Sequence, residues 1–463
     1  MRDSPRAMQI QNPLVFREYD IRGVADRDLS DELAHALGRA LGTMWSRRGA
    51  RRVAVGRDCR LSGERLHAAL LRGVVECGLE VIDIGMGPTP LLYFTVFHLD
   101  LDGGVHVTGS HNPPAENGFK MMAGKGTLAG DEIQALRAAI ESDSYDLRPG
   151  GKVTPYDSTN AYVGFVRGNV TLARKDLKVA IDAGSGAGGP LALAAFRAVG
   201  LDPVALLIEP DGRFPVHHPD PSQPENLALL VRTVKEHQLD LGIAFDGDAD
   251  RIGVIDRHGN VLWGDRLLAL FARDVLARRP GAAILGEVKC SQTLYDDIAK
   301  HGGRGILWKT GHSLIKRKMK EEHALLAGEM SGHVFFADRF FGFDDAIYAA
   351  LRLVEILSAT RTPLDELLSD LPVTFSTPEL RVDANDATKF EVVRLVRDHY
   401  RATNEVIDVD GARVLFPGGW GLVRASNTQP VLVLRFEADT EARLAQIRAD
   451  VEATVARASA TLA

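Results

Sequence analysis

The chain has only three cysteines, Cys59, Cys77 and Cys290, in 463 residues. They are too few and too scattered for a disulfide framework or a cysteine-based zinc site, and they fit a reducing compartment. A surplus of positive charge is also missing: 55 Lys plus Arg against 62 Asp plus Glu leaves a formal net charge of −7. A general nucleic-acid binder shows the opposite balance, so no nucleic-acid partner is expected. Local positive pockets for a small anion are not excluded. No apolar run approaches the ~20 residues of a membrane helix. The stretch from Met1 to Ala7 lacks the apolar segment of a secretory signal. The expectation is a cytoplasmic protein with no membrane partner. Against these absences, 45% hydrophobic and 25% charged residues are the mix of a folded globular protein and exclude bulk disorder. At ~100–200 residues per domain, the length implies several domains.

Short β-branched apolar runs alternate with longer Ala/Leu-rich stretches of helical period. Arg52–Val55, Val81–Ile84, Lys178–Ile181 and Leu241–Phe245 read as strands, and Asp31–Met44, Glu64–Cys77, Pro190–Val199 and Asn226–His237 as helices. This alternation predicts α/β layers. A faint internal repeat runs through them. Three times an apolar strand enters a Gly/Asp turn, at Val53–Asp58, Val179–Gly184 and Ala283–Val288, and each time a later strand ends in a polar, glycine-containing loop. Those loops are Thr108–Pro113, Asp246–Arg251 and Gly328–His333. Ligands of open α/β sheets gather at the carboxyl ends of strands, so three such units would converge on one cleft. The C-terminal part reads differently, with closely spaced strands at Gly411–Phe416, Trp420–Arg424 and Pro430–Phe436 flanked by helices at Phe390–Tyr400 and Glu441–Ala456. That pattern predicts an antiparallel α+β unit.

Each loop has a chemistry. Asp246, Asp248 and Asp250 place three carboxylates at i, i+2 and i+4 after an apolar strand, a spacing that aims hard oxygens at one point and suits Mg²⁺ or Ca²⁺. Arg251 and Arg257 stand where an EF-hand needs its glycine and glutamate, so the loop is not an EF-hand. Ser110 follows Gly109, which would permit an unusual turn, and reads either as a nucleophile or as a turn or capping serine. It has no hydrolase elbow, and His111 is expected to diverge from it. Glu329, Ser331 and His333 lie between and beside glycines and suit a pair of adjacent sugar hydroxyls. Arg424, Ser426, Asn427, Thr428 and Gln429 combine a guanidinium, hydroxyls and amides in the manner of a phosphate cradle, or of a polar hairpin. Lys316–Lys320 is expected on the solvated face of a helix. Together the loops suggest phosphoryl transfer on a phosphosugar.

With these motifs in this order, preceded by Phe16–Gly23, the sequence resembles the α-D-phosphohexomutases, and among them the bacterial phosphomannomutase/phosphoglucomutase group. The resemblance covers nearly the whole chain. It implies four domains around a central cleft: three similar α/β domains with mixed sheets and a C-terminal α+β domain, with divisions expected at 1–155, 156–260, 261–371 and 372–463. It implies reversible interconversion of glucose 1-phosphate with glucose 6-phosphate, and of mannose 1-phosphate with mannose 6-phosphate. In that scheme Ser110 is a phosphoserine. It passes its phosphoryl group to the sugar, and the resulting glucose 1,6-bisphosphate or mannose 1,6-bisphosphate turns over and returns the other phosphate. Asp246, Asp248 and Asp250, with an oxygen of phosphorylated Ser110, match the family's Mg²⁺ ligands.

Two dianions meeting at one centre need compensating charge, which Mg²⁺ would supply with Arg22, Lys120, Arg251 and Lys289. Lys120 and His312 are candidate general acid or base; for Lys120 this needs a depressed pKa, and a purely electrostatic role is equally open. Tyr19 joins the substrate-binding set with Lys289, His312, Glu329, Ser331, His333, Arg424, Ser426, Asn427 and Thr428. Family members place the equivalents of Glu329 and Ser331 on the sugar's 3- and 4-hydroxyls. Glucose and mannose differ only at carbon 2, so use of both is expected. Met330 stands where related phosphoglucosamine mutases carry Gln. A monomer is expected. A haloacid-dehalogenase-type phosphatase would leave Ser110 and the Arg424 loop without roles, and a non-catalytic phosphosugar binder would show no turnover.

Overall fold

The computed structural model describes residues 8–426 and 429–462. The expected repeat is visible as one strand arrangement used three times. In the first sheet Glu80–Met86 runs parallel to Arg52–Arg57, which runs parallel to Gly103–Val107, which pairs antiparallel with Glu116–Ala123. The second sheet repeats this with Val204–Leu206, Val179–Asp182, Leu241–Phe245 and Ile252–Asp256. The third does so with Arg304–Trp308, Ala283–Glu287, Leu326–Gly328 and Val334–Phe336. In every copy the chain leaves the third strand through a tight connection to its antiparallel neighbour. That connection carries Ser110, the three aspartates, or Glu329.

The strand sequences explain these positions. Gly103–Val107, Leu241–Phe245 and Ala283–Glu287 are buried along their whole length, as expected of strands covered by helices on both faces. The helix Thr89–His98 is apolar nearly all round because it lies between layers, with Leu91 to Val96 buried. Phe94 and Phe97 on it meet Phe165 and the run Phe340, Phe341 and Phe343 in a nest of offset and edge-on ring contacts. One continuous apolar core therefore extends from Ala54 to Leu371 and ties the three α/β domains together.

The C-terminal domain has its own core and an antiparallel sheet. In it Val431–Ala438 is flanked by Gly419–Ala425 on one side and by Phe375–Ser376 and Leu380–Asp383 on the other. Helix Asp31–Arg47 is opened by Ser30, whose side chain accepts the Leu33 N–H, with Asp31 and Glu32 in the first turn. The helix expected at Asn226–His237 divides into a 3₁₀ turn, Pro224–Leu227, and an α-helix, Ala228–Glu236, because Pro224 enters at the first turn. Among the described residues no helix is long and apolar enough to cross a membrane.

Candidate active site

The serine and aspartate loops meet directly. Ser110 Oγ donates to Asp246 Oδ2 at 2.7 Å, and a Cβ on Gly247 would lie 2.4 Å from the Ser110 carbonyl oxygen, so the two backbones touch. Ser110 is buried and holds a φ of +49°, the left-handed region that an L-residue rarely occupies. The unusual turn is therefore at Ser110 itself, not at Gly109. Gly109 is required for space, because a Cβ there would lie 2.4 Å from Arg60 Nε. The expected divergence of His111 is also corrected: with Ser110 left-handed, the His111 ring swings back until Nδ1 lies 3.1 Å from Ser110 Oγ. Burial, then Arg251 and Arg22, hold His111 well below the usual histidine pKa, so the ring is neutral.

The ligating oxygens of Asp246, Asp248 and Asp250 lie within 4.8 Å of one another, and all three residues are fully buried. Asp246 Oδ1 accepts the N–H groups of Asp250 and Arg251. Asp248 Oδ2 accepts from Thr89, Thr108 and Lys120. Asp248 Oδ1 and Asp250 Oδ1 make no hydrogen bond among the described residues, and the latter faces His333 Nε2 at 3.3 Å. Buried carboxylate oxygens left over in a converging, all-oxygen set fit a hard divalent cation. Burial, then the Asp250 and Asp248 charges, push Asp246 well above the ordinary carboxylate pKa. For Asp250 burial is overcome by Lys120 and His333, which hold it well below.

Lys120 Nζ bridges Asp248, at 2.8 Å, and Asp250. Although burial opposes the charge, these two carboxylates raise the Lys120 pKa. That is opposite to the depression a neutral lysine base requires, and it favours the electrostatic or acid role. His312 opens the helix His312–Glu322 and is buried, with neither ring nitrogen hydrogen-bonded among the described residues. Burial, then Lys316, Lys120 and His333, hold it well below the usual histidine range, so it is a neutral imidazole. His333 takes the opposite course. Burial opposes its charge, but the Asp250 carboxylate facing it and the neighbouring Glu329 raise it to about 9.

The rest of the expected set is linked to this centre. Arg251 Nε points to His333 Nε2 at 3.4 Å, Ser331 Oγ lies 3.1 Å from His333 Nδ1, and Glu329 Oε2 lies 2.7 Å from the same nitrogen. Glu329 Oε1 accepts the Gly311 N–H. Arg22 Nε binds Asp20 at 2.5 Å and its Nη1 donates to Asn112 at 2.8 Å beside the serine loop. Tyr19 donates to the Thr310 carbonyl and packs edge-on to His312. Lys289 lies between Glu287, at 3.3 Å, and Glu379, at 3.0 Å, and holds Glu379 down to about 2. Arg424 Nε donates to Asp410 Oδ2, which also accepts the Thr310 N–H. Ser426 Oγ accepts the Gln429 N–H. Asn427 and Thr428 lie outside the described residues.

Sequence reasoning missed several neighbours. Glu287, fully buried, accepts from Thr310 and from the Met330 N–H and so ties the sugar-type loop to the His312 loop. Lys316 is not on a solvated face: its Nζ donates to Asp344 at 2.8 Å and lies over the Tyr93 ring. It stands four residues after His312 on the same helix face, a spacing that would have revealed it. Asp344 and Asp410 reach the site from distant segments and carry no local signal.

Frame and centre together define a class: a phosphoryl-transfer enzyme on four α/β-type domains, with a buried serine beside three carboxylates. Profiles of the four domains of phosphoglucomutase/phosphomannomutase match residues 13–146 (alpha/beta/alpha domain I), 160–259 (domain II), 263–375 (domain III) and 379–454 (the C-terminal domain). The chain is 50% identical over 436 residues to a phosphomannomutase/phosphoglucomutase of Pseudomonas aeruginosa, covering 94% of each. It is 47% identical over 445 residues to a phosphoglucomutase of Neisseria gonorrhoeae, covering 95% of this chain and 96% of that one. A crystal structure of a phosphoglucomutase/phosphomannomutase family protein from Burkholderia thailandensis superposes with a TM-score of 0.92 at 43% identity, covering 96% and 98%. The chain belongs to the phosphoglucomutase/phosphomannomutase family.

Proposed function

We propose that this enzyme reversibly interconverts the 1- and 6-phosphates of glucose and of mannose through a phosphoserine at Ser110. The observation that carries the reading is the 2.7 Å contact between Ser110 Oγ and Asp246, inside a cleft to which all four domains contribute. Ser110 gives its phosphoryl group to the free hydroxyl of the bound hexose phosphate. The 1,6-bisphosphate then reorients, and its other phosphoryl group returns to Ser110. Glucose 1,6-bisphosphate or mannose 1,6-bisphosphate is thus both intermediate and activator.

Asp246, Asp248 and Asp250, with a phosphoserine oxygen, are the residues that would hold Mg²⁺, whose chemistry is to neutralise charge on the transferring group. Lys120, Arg22 and Arg251 supply fixed positive charge around the same centre. His312, buried and neutral, takes the proton from the attacking sugar hydroxyl while Lys120 gives one to the departing Ser110 oxygen, and both protons go back when the second phosphoryl group returns from the sugar to Ser110. Glu329, Ser331 and His333 grip sugar hydroxyls that glucose and mannose share, while Arg424, Ser426, Asn427 and Thr428, with Tyr19 and Lys289, hold the phosphate that is not reacting. Domain divisions at 155/156, 260/261 and 371/372, a monomeric state and a cytoplasmic location complete the reading.

The test is steady-state conversion of glucose 1-phosphate and mannose 1-phosphate to their 6-phosphates, with Mg²⁺ and a trace of hexose 1,6-bisphosphate. Turnover of both sugars is expected. Absence of both, with conversion of glucosamine phosphate instead, would overturn the specificity reading of Glu329 and Ser331.

A further inference from the structure

Behind the serine loop lies a cation that the proposed chemistry has not used. Arg60 is completely buried, with a side chain 0% exposed. Its guanidinium collects four backbone carbonyls of the loop that carries Ser110. Nη2 donates to the Ser110 oxygen at 2.7 Å and the Asn112 oxygen at 2.5 Å, and Nη1 to the Pro113 oxygen at 2.5 Å and the Glu116 oxygen at 2.8 Å. Asp58 Oδ2 sits 3.3 Å from Arg60 Nε and accepts the Gly109 N–H at 3.1 Å, so the pair holds the loop by both its carbonyls and an amide. Phe214, from the second domain, lies over the guanidinium at 5.3 Å and excludes water from it. The absent side chain of Gly109 makes room for the Arg60 stem.

A buried charge without good partners is strongly destabilising, and a loop built around one cannot relax without exposing it. Ser110 has a left-handed φ that its own residue type does not favour, and such a conformation persists only where its surroundings over-determine it. We infer that Arg60 is a positioning residue for the phosphoryl transfer: its forked donors wind the 109–116 loop around one point and so fix the direction of Ser110 Oγ. It touches neither substrate nor the reacting atoms. Lysine keeps the charge at this place but cannot serve four carbonyls from a planar fork.

This inference rests on the reading of Ser110 as the phosphorylated residue, which is checked first by the mass of the wild-type peptide containing Ser110. Phosphate found only on another residue would overturn that reading and not the geometry of Arg60. With Ser110 phosphate present, R60K is assayed for kcat, KM and amide hydrogen exchange. The expected result is a kcat about 100-fold lower, the scale of an ångström-sized misplacement. KM for glucose 1-phosphate stays within about twofold, and exchange quickens in residues 109–116 but not in the Asp246–Asp250 loop. A kcat close to wild type, or a rise in KM matched by faster exchange throughout the first domain, overturns the inference. If R60K does not fold, D58N provides the second arm, with the same pattern at about tenfold in kcat expected and unchanged kcat contradicting it.

Discussion

On one side of the cleft, the serine and aspartate loops press backbone to backbone, and the oxygens that protein donors do not take, Asp248 Oδ1 and Asp250 Oδ1, are fixed in place by buried neighbours. On the other, the cations that would bind the distal phosphate are held by one or two carboxylates, Arg424 by Asp410 and Lys289 by Glu287 and Glu379. The first arrangement suits chemistry, which is helped by groups that need not reorganise as charge moves. The second suits binding and release, because a phosphate can take over donors that the carboxylates hold in its absence. Arg424, Asp410 and Glu379 belong to the C-terminal domain, whose core is separate from the one shared by the first three domains, whereas Lys289 and Glu287 reach them from the third. Substitutions on the two sides should therefore have different kinetic signatures.

The largest effect is expected at Ser110. Ser110→Ala should lower kcat by about 10⁴-fold or more, as for other lost nucleophiles, with glucose 1-phosphate binding retained in a calorimetric titration. Chelation of divalent metal should likewise abolish turnover, and added Mg²⁺ should restore it. His312→Gln should lower kcat by about 10²–10⁴-fold, the range for a lost proton-transfer group. Because burial keeps His312 well below the ordinary histidine pKa, the acid limb of the wild-type kcat profile should lie below the ordinary histidine value, and the variant should lack it.

Arg424→Lys tests the other side. It should raise KM for glucose 1-phosphate by about tenfold, the worth of a charged hydrogen bond of about 1.5 kcal/mol, with kcat nearly unchanged. A fall in kcat rivalling that of Ser110→Ala would break the division between the two sides.

The smallest effect is on stability. His217 Nε2 pairs with Asp182 at 3.0 Å, and this bond raises the histidine pKa in the folded chain. Its contribution of roughly 1 kcal/mol is fully present below the unfolded histidine value and is lost as pH rises through the raised folded value. His217→Asn should therefore cost more stability in urea unfolding at pH 5.5 than at pH 9.

Much of this was legible in the sequence for reasons that are local. Strand Leu241–Phe245 announced itself because five apolar residues end at a polar turn, and the i, i+2, i+4 aspartates declared a hard-cation chemistry without any tertiary information. The threefold repeat was readable because each unit repeats the same strand-then-loop order. What stayed hidden depends on contacts between distant segments. Arg60 looks like any surface arginine until four carbonyls fold around it. His111 was misjudged because its approach to Ser110 follows from one left-handed residue, which composition does not show. The choice between the two roles open to Lys120 turns on Asp248 and Asp250, which against burial raise its pKa and which lie far along the chain from it.

The most direct test of the central account follows a labelled phosphoryl group. Enzyme carrying ³²P on Ser110 is mixed with excess unlabelled glucose 1-phosphate in the presence of Mg²⁺. The account predicts that the label leaves the protein with the speed of turnover and appears in glucose 1,6-bisphosphate and then in glucose 6-phosphate, with little inorganic phosphate formed. Label released mainly as inorganic phosphate, or retained on the protein through many turnovers, would contradict it.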